Sequence, residues 1–174
     1  MHLVALLLIA AVTPSSSPEG GYPTTRGTAG VSFLLPGGGE PRIGATYFVF
    51  NDVAARIDVG LLAPLTPGGA GQNTLFNVSA GLRFYPFKRN HVGVFLQPSG
   101  SLGRENSPAV AAEAAFFLRL GAGVGVEYFF TSHFSVGALL ELSLKLANLG
   151  GPASTPVYTT LSTATSSLSA NIYF

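Results

Sequence analysis

One short passage narrows the folds open to this chain. In residues 134–146 the side chains Phe134, Val136, Ala138, Leu140, Leu142, Leu144 and Leu146 take alternate positions, with Ser135, Gly137, Glu141, Ser143 and Lys145 between them. Successive side chains of a β-strand point to opposite faces, so this spacing makes one face apolar and the other polar. A helix, with its period of 3.6 residues, would scatter both sets around its axis. The same parity governs Phe76, Val78, Ala80, Leu82 and Phe84 against Asn77, Ser79, Gly81 and Arg83. It returns as Leu118, Leu120, Val124, Val126, Tyr128 and Phe130 against Arg119, Gly121, Gly123, Gly125 and Glu127, and as Val53, Ala55, Ile57, Val59 and Leu61 against Arg56 and Asp58.

A hairpin pattern recurs three times. Gly44 leads through Tyr47, Phe48 and Phe50 into Asn51-Asp52, Gly81 leads through Phe84, Tyr85 and Phe87 into Lys88-Arg89-Asn90, and Gly125 leads through Tyr128, Phe129 and Phe130 into Thr131-Ser132-His133. Each copy has a glycine, an aromatic cluster, a short turn and a returning apolar segment, which is the signature of a β-hairpin. Longer breaks rich in Gly, Pro, Ser or Asn separate the copies, at 36–41, 63–73, 103–113 and 147–157. Eight strands are expected, over 28–35, 42–50, 53–62, 74–86, 91–102, 114–130, 134–146 and 159–174. Three short turns and four long loops then put both termini on the short-turn side. A helix over 109–120, where alanines cluster, is the rival reading of one segment.

Alternation alone does not say which face lies inside. A soluble lipocalin-like barrel lines a ligand cavity with its apolar face. A membrane barrel turns that face to lipid and fills its lumen with the polar one. Only 10% of the chain is charged, whereas soluble surfaces are roughly 25–35% charged. The polar faces are mostly Gly, Ser, Thr and Asn, poor material for a water-exposed shell and suited to a crowded lumen. Aromatics also gather at the short-turn ends, among them Tyr47, Phe48, Phe84, Tyr85, Tyr128, Phe129, Phe130, Phe134, Tyr173 and Phe174. Rings collected at one rim form the interfacial girdle of a membrane barrel. The fold class expected is therefore all-β, an eight-stranded antiparallel up-and-down transmembrane β-barrel.

The ends and the composition limit function. Residues 3–12 form an apolar run too short to span a bilayer as a helix, within the range of a signal-peptide core. We read 1–20 as signal peptide and cleavage region, 21–27 as a flexible lead-in and 28–174 as the barrel. Nine Lys and Arg against eight Asp and Glu give a net charge of +1, so no nucleic-acid partner is expected, because such surfaces are strongly basic. The absence of Cys removes disulfides and thiolate chemistry. No histidine lies mid-strand beside a nucleophile, and no carboxylates cluster, so neither catalysis, a metal nor a cofactor is expected. The run Gly121-Ala122-Gly123-Val124-Gly125 leads into an aromatic cluster and not a helix, so it fails as a phosphate loop. Its glycines instead leave room for the rings of Phe95, Tyr85 or Phe129.

Residues 123–137, with Gly123, Glu127, Tyr128, Phe129, Phe130 and His133, and the ending Asn171-Ile172-Tyr173-Phe174 give the chain its likeness: it resembles the small eight-stranded outer-membrane barrels of the OmpA, OmpX and OmpW type. The resemblance implies a bacterial outer-membrane location, lipid contact, and Phe174 as the terminal signal read by the barrel-assembly machinery. Absence of Trp departs from that pattern, as does an upper eighth strand that places Ser162 and Ser166 outward. By parity Arg56, Asp58, Arg83, Arg119, Glu127, Glu141 and Lys145 all point into the lumen, which in an eight-stranded barrel is just wide enough for side chains. We expect them to form a plugged charge network, and Tyr47, Phe84, Tyr128, Phe130, Phe134 and Phe174 a periplasmic girdle. A structural or surface-interaction protein is the leading expectation, with any external partner engaged through the loops. A narrow OmpW-like channel for small or hydrophobic solutes is the second, with Pro98 marking a break in its wall, and a soluble lipid-binding barrel the third.

Overall fold

The computed structural model describes residues 22–37, 40–62, 75–105, 115–149 and 157–174. The apolar leader and much of the four longer connections lie outside these residues. Eight strands run in chain order: β1 (Ala29–Pro36), β2 (Arg42–Phe50), β3 (Val53–Leu62), β4 (Leu75–Arg89), β5 (Val92–Glu105), β6 (Ala115–Phe129), β7 (Phe134–Leu149) and β8 (Tyr158–Tyr173). Every strand pairs antiparallel with its neighbours in sequence, and β1 pairs with β8 to close the barrel. Closure leaves no row of unpaired backbone groups, a requirement for any sheet surrounded by hydrocarbon. β4 to β8 run 14 to 16 residues, more than the about 9–11 that a tilted membrane strand needs.

Local chemistry explains the short turns. Asp52 and Asn90 take positive φ, 65° and 52°, in the left-handed region that Asn and Asp tolerate. The turn after β6 is held by Thr131, whose Oγ1 accepts from the backbone N–H of His133 at 3.1 Å and of Phe134 at 3.0 Å. All three turns and both described termini sit at one end of the barrel.

Parity carries through to burial, and it decides between the two barrel types. Ser32, Thr46, Arg56, Asn77, Arg83, Gln97, Glu127 and Asn171 are buried inside, while Leu35, Ile57, Leu61, Leu102, Leu120, Leu142 and Leu168 are exposed on the outer wall. A soluble barrel with an apolar cavity would show the reverse. An outer wall of this composition is one that lipid solvates.

Bulges account for the departures from the expected strands. β4 continues past Pro86 to Arg89 because the β4–β5 register shifts between Phe84 and Phe87, so Pro86, which has no N–H, falls where the ladder is interrupted. His91 belongs to the turn and not to β5. The β7–β8 register shifts between Glu141 and Ser143, and above that shift β8 changes phase. Ser162 therefore lies opposite the inward Ser143, and Leu161 opposite the outward Leu144. This corrects the expectation that Ser162 faces out; Ser166, opposite Leu140, does so. The helical alternative fails over 115–120, which lie in β6.

Candidate functional site: a layered lumen

The lumen is filled in layers. At the short-turn end Phe48, Ala54, Tyr85, Phe95, Phe129, Leu139 and Tyr173 form a continuous apolar cluster. Its rings lie 5.7 to 6.5 Å apart in tilted pairs, Phe48 against Tyr85 and Tyr173, Tyr85 against Phe95 and Phe129, and Phe129 against Tyr173. Each aromatic side chain buries on the order of 150–250 Å², so five of them close a narrow barrel. Phe48 and Tyr173, counted with the rim, belong to the interior, as do Tyr85 and Phe129, for whose rings the lumen glycines were expected to leave room. Bulges sort them, since the shifts after Phe48 and Phe84 leave Phe48 and Tyr85 inward while returning Phe50 and Phe87 to the outside.

Large rings fit because glycines face them. A Cβ on Gly125 would collide with the Phe95 ring, and one on Gly30 would lie 2.7 Å from Tyr173. Of the rings expected above the glycine run, Phe95 meets Gly125, whereas Tyr85 and Phe129 meet Gly93 of β5. Gly123 and Gly121 accommodate Leu139 and Glu141.

Against the aromatic floor sits the most buried charge. The Glu127 carboxylate, 0% exposed, accepts from Arg83 Nη1 at 3.0 Å, the Tyr85 hydroxyl at 2.5 Å, the Tyr173 hydroxyl at 2.6 Å, Asn171 Nδ2 at 3.0 Å and the Ser135 hydroxyl. Arg83 Nε donates to Gln97 at 3.0 Å, and its guanidinium lies 4.0 Å from the centre of the Phe95 ring. A charge this deep is tolerated only when its lone pairs are met, and here five donors meet them.

Midway up, Arg56 Nε donates to both oxygens of Asp58 at 2.9 Å. The pair borders a cavity of about 70 Å³, also lined by Ser79, Ser99, Arg119 and Glu141, space for a few waters. Glu141 accepts from Ser99 at 3.2 Å. At the long-loop end Arg42 pairs with the buried Glu40 at 3.2 Å, and Asn77 also donates to Glu40. Arg119 and Lys145 lie 5.6 and 4.7 Å from the Phe117 ring centre.

All seven charges named from parity thus face inward. The structure joins Arg83 to Glu127 and Arg56 to Asp58, while among the described residues no ion pair links Arg119 to Glu141. Sequence reading missed Glu40, assigned to a loop, although the phase of Gly44 and Arg42 extends to it. It also missed the neutral partners Gln97, Ser135 and Asn171, which lie on the inward parity of their strands. On the outside Tyr47, Phe84, Tyr128, Phe130, Phe134 and Phe174 are exposed near the short turns, with Phe50 and Phe87 beside them. Tyr128 packs edge-on to Phe130 at 4.8 Å, and Phe130 stacks on Phe134 at 5.6 Å.

The lead-in packs across the short-turn end. Tyr22 sets its ring edge-on to Phe129 at 5.4 Å and donates to the Asn90 carbonyl. Thr24 donates to Asp52 at 2.8 Å, Lys88 bridges Thr24 and Asp52, and the Gly27 N–H donates to the Phe48 carbonyl at 2.9 Å. Where a flexible segment was expected, residues 22–27 form a strap. Among the described residues no group of His, Asp and Glu is arranged to hold a metal.

This closed barrel, apolar outside and polar within, defines the class: the fold is that of the small eight-stranded outer-membrane barrels. The N-terminal β-barrel domain of Pseudomonas aeruginosa OprF superposes with a TM-score of 0.55 at 12% sequence identity, over 86% of this chain and 98% of that one. Neisserial surface protein A gives 0.49 at 20% identity over 84% and 92%, and a major outer membrane protein from Thermus thermophilus gives 0.45 at 15% over 84% and 98%. The likeness to the OprF barrel, with the closed eight-strand topology, carries the fold assignment. No family model and no curated protein matches the chain by sequence.

Proposed function

We propose that the chain is a bacterial outer-membrane barrel of structural or surface-interaction type, with a plugged lumen and its longer connections outside the cell. The observation that carries this reading is the aromatic floor joined to the Arg83–Glu127 network, which fills the cross-section at the short-turn end. The exposed outer wall supports lipid contact, and the outward, exposed Phe174 at the last strand's end supports recognition by the barrel-assembly machinery. Nothing among the described side chains supports catalysis. The Ser–His contact found there, Ser132 to His133 at 2.9 Å, lies in an exposed turn, and among the described residues no carboxylate orients it as a catalytic base requires. Planar-bilayer recording of the refolded protein tests the plugged reading. No stable conductance is expected, and large steady openings would overturn it.

A sideways path for hydrophobic solutes would open at Pro98. There the β4–β5 ladder skips two pairs and resumes in the same register at Phe84–Leu96, while β5–β6 pairing runs through Pro98–Ala122. The kept register and the unbroken β5–β6 pairing favour a continuous wall.

A further inference from the structure

Two charged residues break the apolar outer face among the described strands, Arg89 at the short-turn end and Arg104 near the opposite end of β5. Arg104 lies opposite Phe76 on β4 and Phe116 on β6, and both rings are exposed on the outer wall. Arg104 is itself exposed, and among the described residues it has neither an ion pair nor a hydrogen-bond partner. No described carboxylate shares the outer face: Glu40, Asp58, Glu127 and Glu141 are inward, and Asp52 is in a turn.

We propose that Arg104, fenced by Phe76 and Phe116, binds the phosphate of a membrane-lipid headgroup in the leaflet on the long-loop side. Position is the first support. The outward residues of β5 below it are Val92, Val94, Leu96, Pro98, Gly100 and Leu102, which at about 3.4 Å per residue and a tilt of about 40° cover roughly 25 Å along the barrel axis. That is the height of the apolar band of a membrane barrel, so Arg104 stands at its upper edge, where an arginine costs little to place. Chemistry is the second. Side chains directly opposite across a ladder have Cβ atoms about 4.5–5.5 Å apart, so Phe76 and Phe116 stand on either side of Arg104, and a headgroup reaching the guanidinium would be flanked by their rings. A planar guanidinium donates two parallel hydrogen bonds to phosphate, and such bonds strengthen as local water is excluded. The acyl chains of the same lipid would lie against Leu102 and Leu118 below. A phosphate ion free in water gains nothing from that apolar contact, so the lipid headgroup is the source to which the geometry commits.

The site rests on the membrane reading given above, and one experiment separates the two. The full chain, uniformly labelled with ¹⁵N and ¹³C, is refolded into micelles of a phosphate-free zwitterionic detergent. The Arg104 Nε–H resonance is assigned by its loss in Arg104→Gln. Titration with phosphatidic acid is expected to shift it saturably, and inorganic phosphate at equal concentration to leave it in place. Arg104→Lys and the Phe76→Ala/Phe116→Ala double variant are expected to weaken lipid binding at least severalfold, read from a lipid-dependent shift at Gly103. Contact between Leu96 or Leu142 and the detergent chains reports the membrane reading by itself. Detergent contact without a lipid-induced Arg104 shift overturns the headgroup site alone, as does an equal shift from inorganic phosphate. Absence of detergent contact overturns both.

Discussion

Glu127 of β6 and Arg83 of β4 meet at 3.0 Å in the lumen although β5 lies between their strands in the wall. The contact therefore spans the interior and ties together strands that share no backbone ladder. Removing one member of a buried pair leaves an unmet charge and costs about 3–5 kcal/mol, whereas replacing both with apolar side chains of similar size is often neutral. Glu127→Ala is expected to lower stability by about that amount, and Arg83→Met/Glu127→Met to recover most of it. Urea titration of the heat-modifiable folded band measures both. A double variant as unstable as Glu127→Ala would contradict the pairing.

Gly125 is expected to resist even a methyl group. Its Cβ would enter the Phe95 ring, which is 0% exposed and packed on Tyr85. Gly125→Ala should cost about 1–3 kcal/mol by overpacking, and Phe95→Leu in the same chain should return part of the loss. Gly100→Ala on the outer wall is the control, because its Cβ would meet Leu120 at an ordinary 3.6 Å. Its effect should stay within about 0.5 kcal/mol. Equal losses at Gly100 and Gly125 would contradict the close fit in the lumen.

The strap is expected to open before the barrel does. Tyr22→Ala removes both the contact with Phe129 and the hydrogen bond to Asn90, and Tyr22→Phe removes the hydrogen bond alone. Trypsin cleavage after the exposed Arg26 should accelerate about tenfold in Tyr22→Ala, equivalent to about 1.4 kcal/mol of opening free energy, and less in Tyr22→Phe. Unchanged cleavage in both variants would contradict a packed strap.

Alkaline pH should loosen the same segment. Burial raises the Tyr22 hydroxyl above its ordinary value of 10.0, so the folded strap holds its proton more tightly than the open one. Its stabilisation is complete below about pH 10 and falls as pH rises through the folded value. Subtilisin digestion should cut residues 22–28 faster above pH 10 in the native sequence and show a smaller rise in Tyr22→Phe.

The amino-acid sequence discloses the wall of this barrel better than its interior. β2 and β3 begin and end where alternation and the turn residues place them, because period-two burial and the Asn51-Asp52 turn are both local signals. Ser162, Phe50 and Phe87 take their sides from bulges, each of which shifts the phase of a strand by one residue and is set by its register with the neighbouring strand. Parity finds Arg83 and Glu127 on the inner face. It does not show that they meet each other, since that depends on the diameter and stagger of the closed sheet. Glu40 was hidden by its setting among prolines and glycines, and the strap of Tyr22 and Thr24 lies in a segment without periodicity.

The orientation of the two faces is tested most directly by cysteine labelling, for which a chain without native cysteine is suited. Single variants Leu120→Cys and Leu142→Cys place thiols on the outer wall, and Ser132→Cys places one in the exposed turn. Each is refolded into phosphatidylcholine vesicles of mixed sidedness, opened by brief sonication, and treated with a water-soluble, membrane-impermeant maleimide. Rapid reaction at position 132, with protection at 120 and 142 until detergent or urea is added, is the expected result. Reaction at 120 and 142 as fast as at 132 in intact bilayers would contradict a lipid-covered wall.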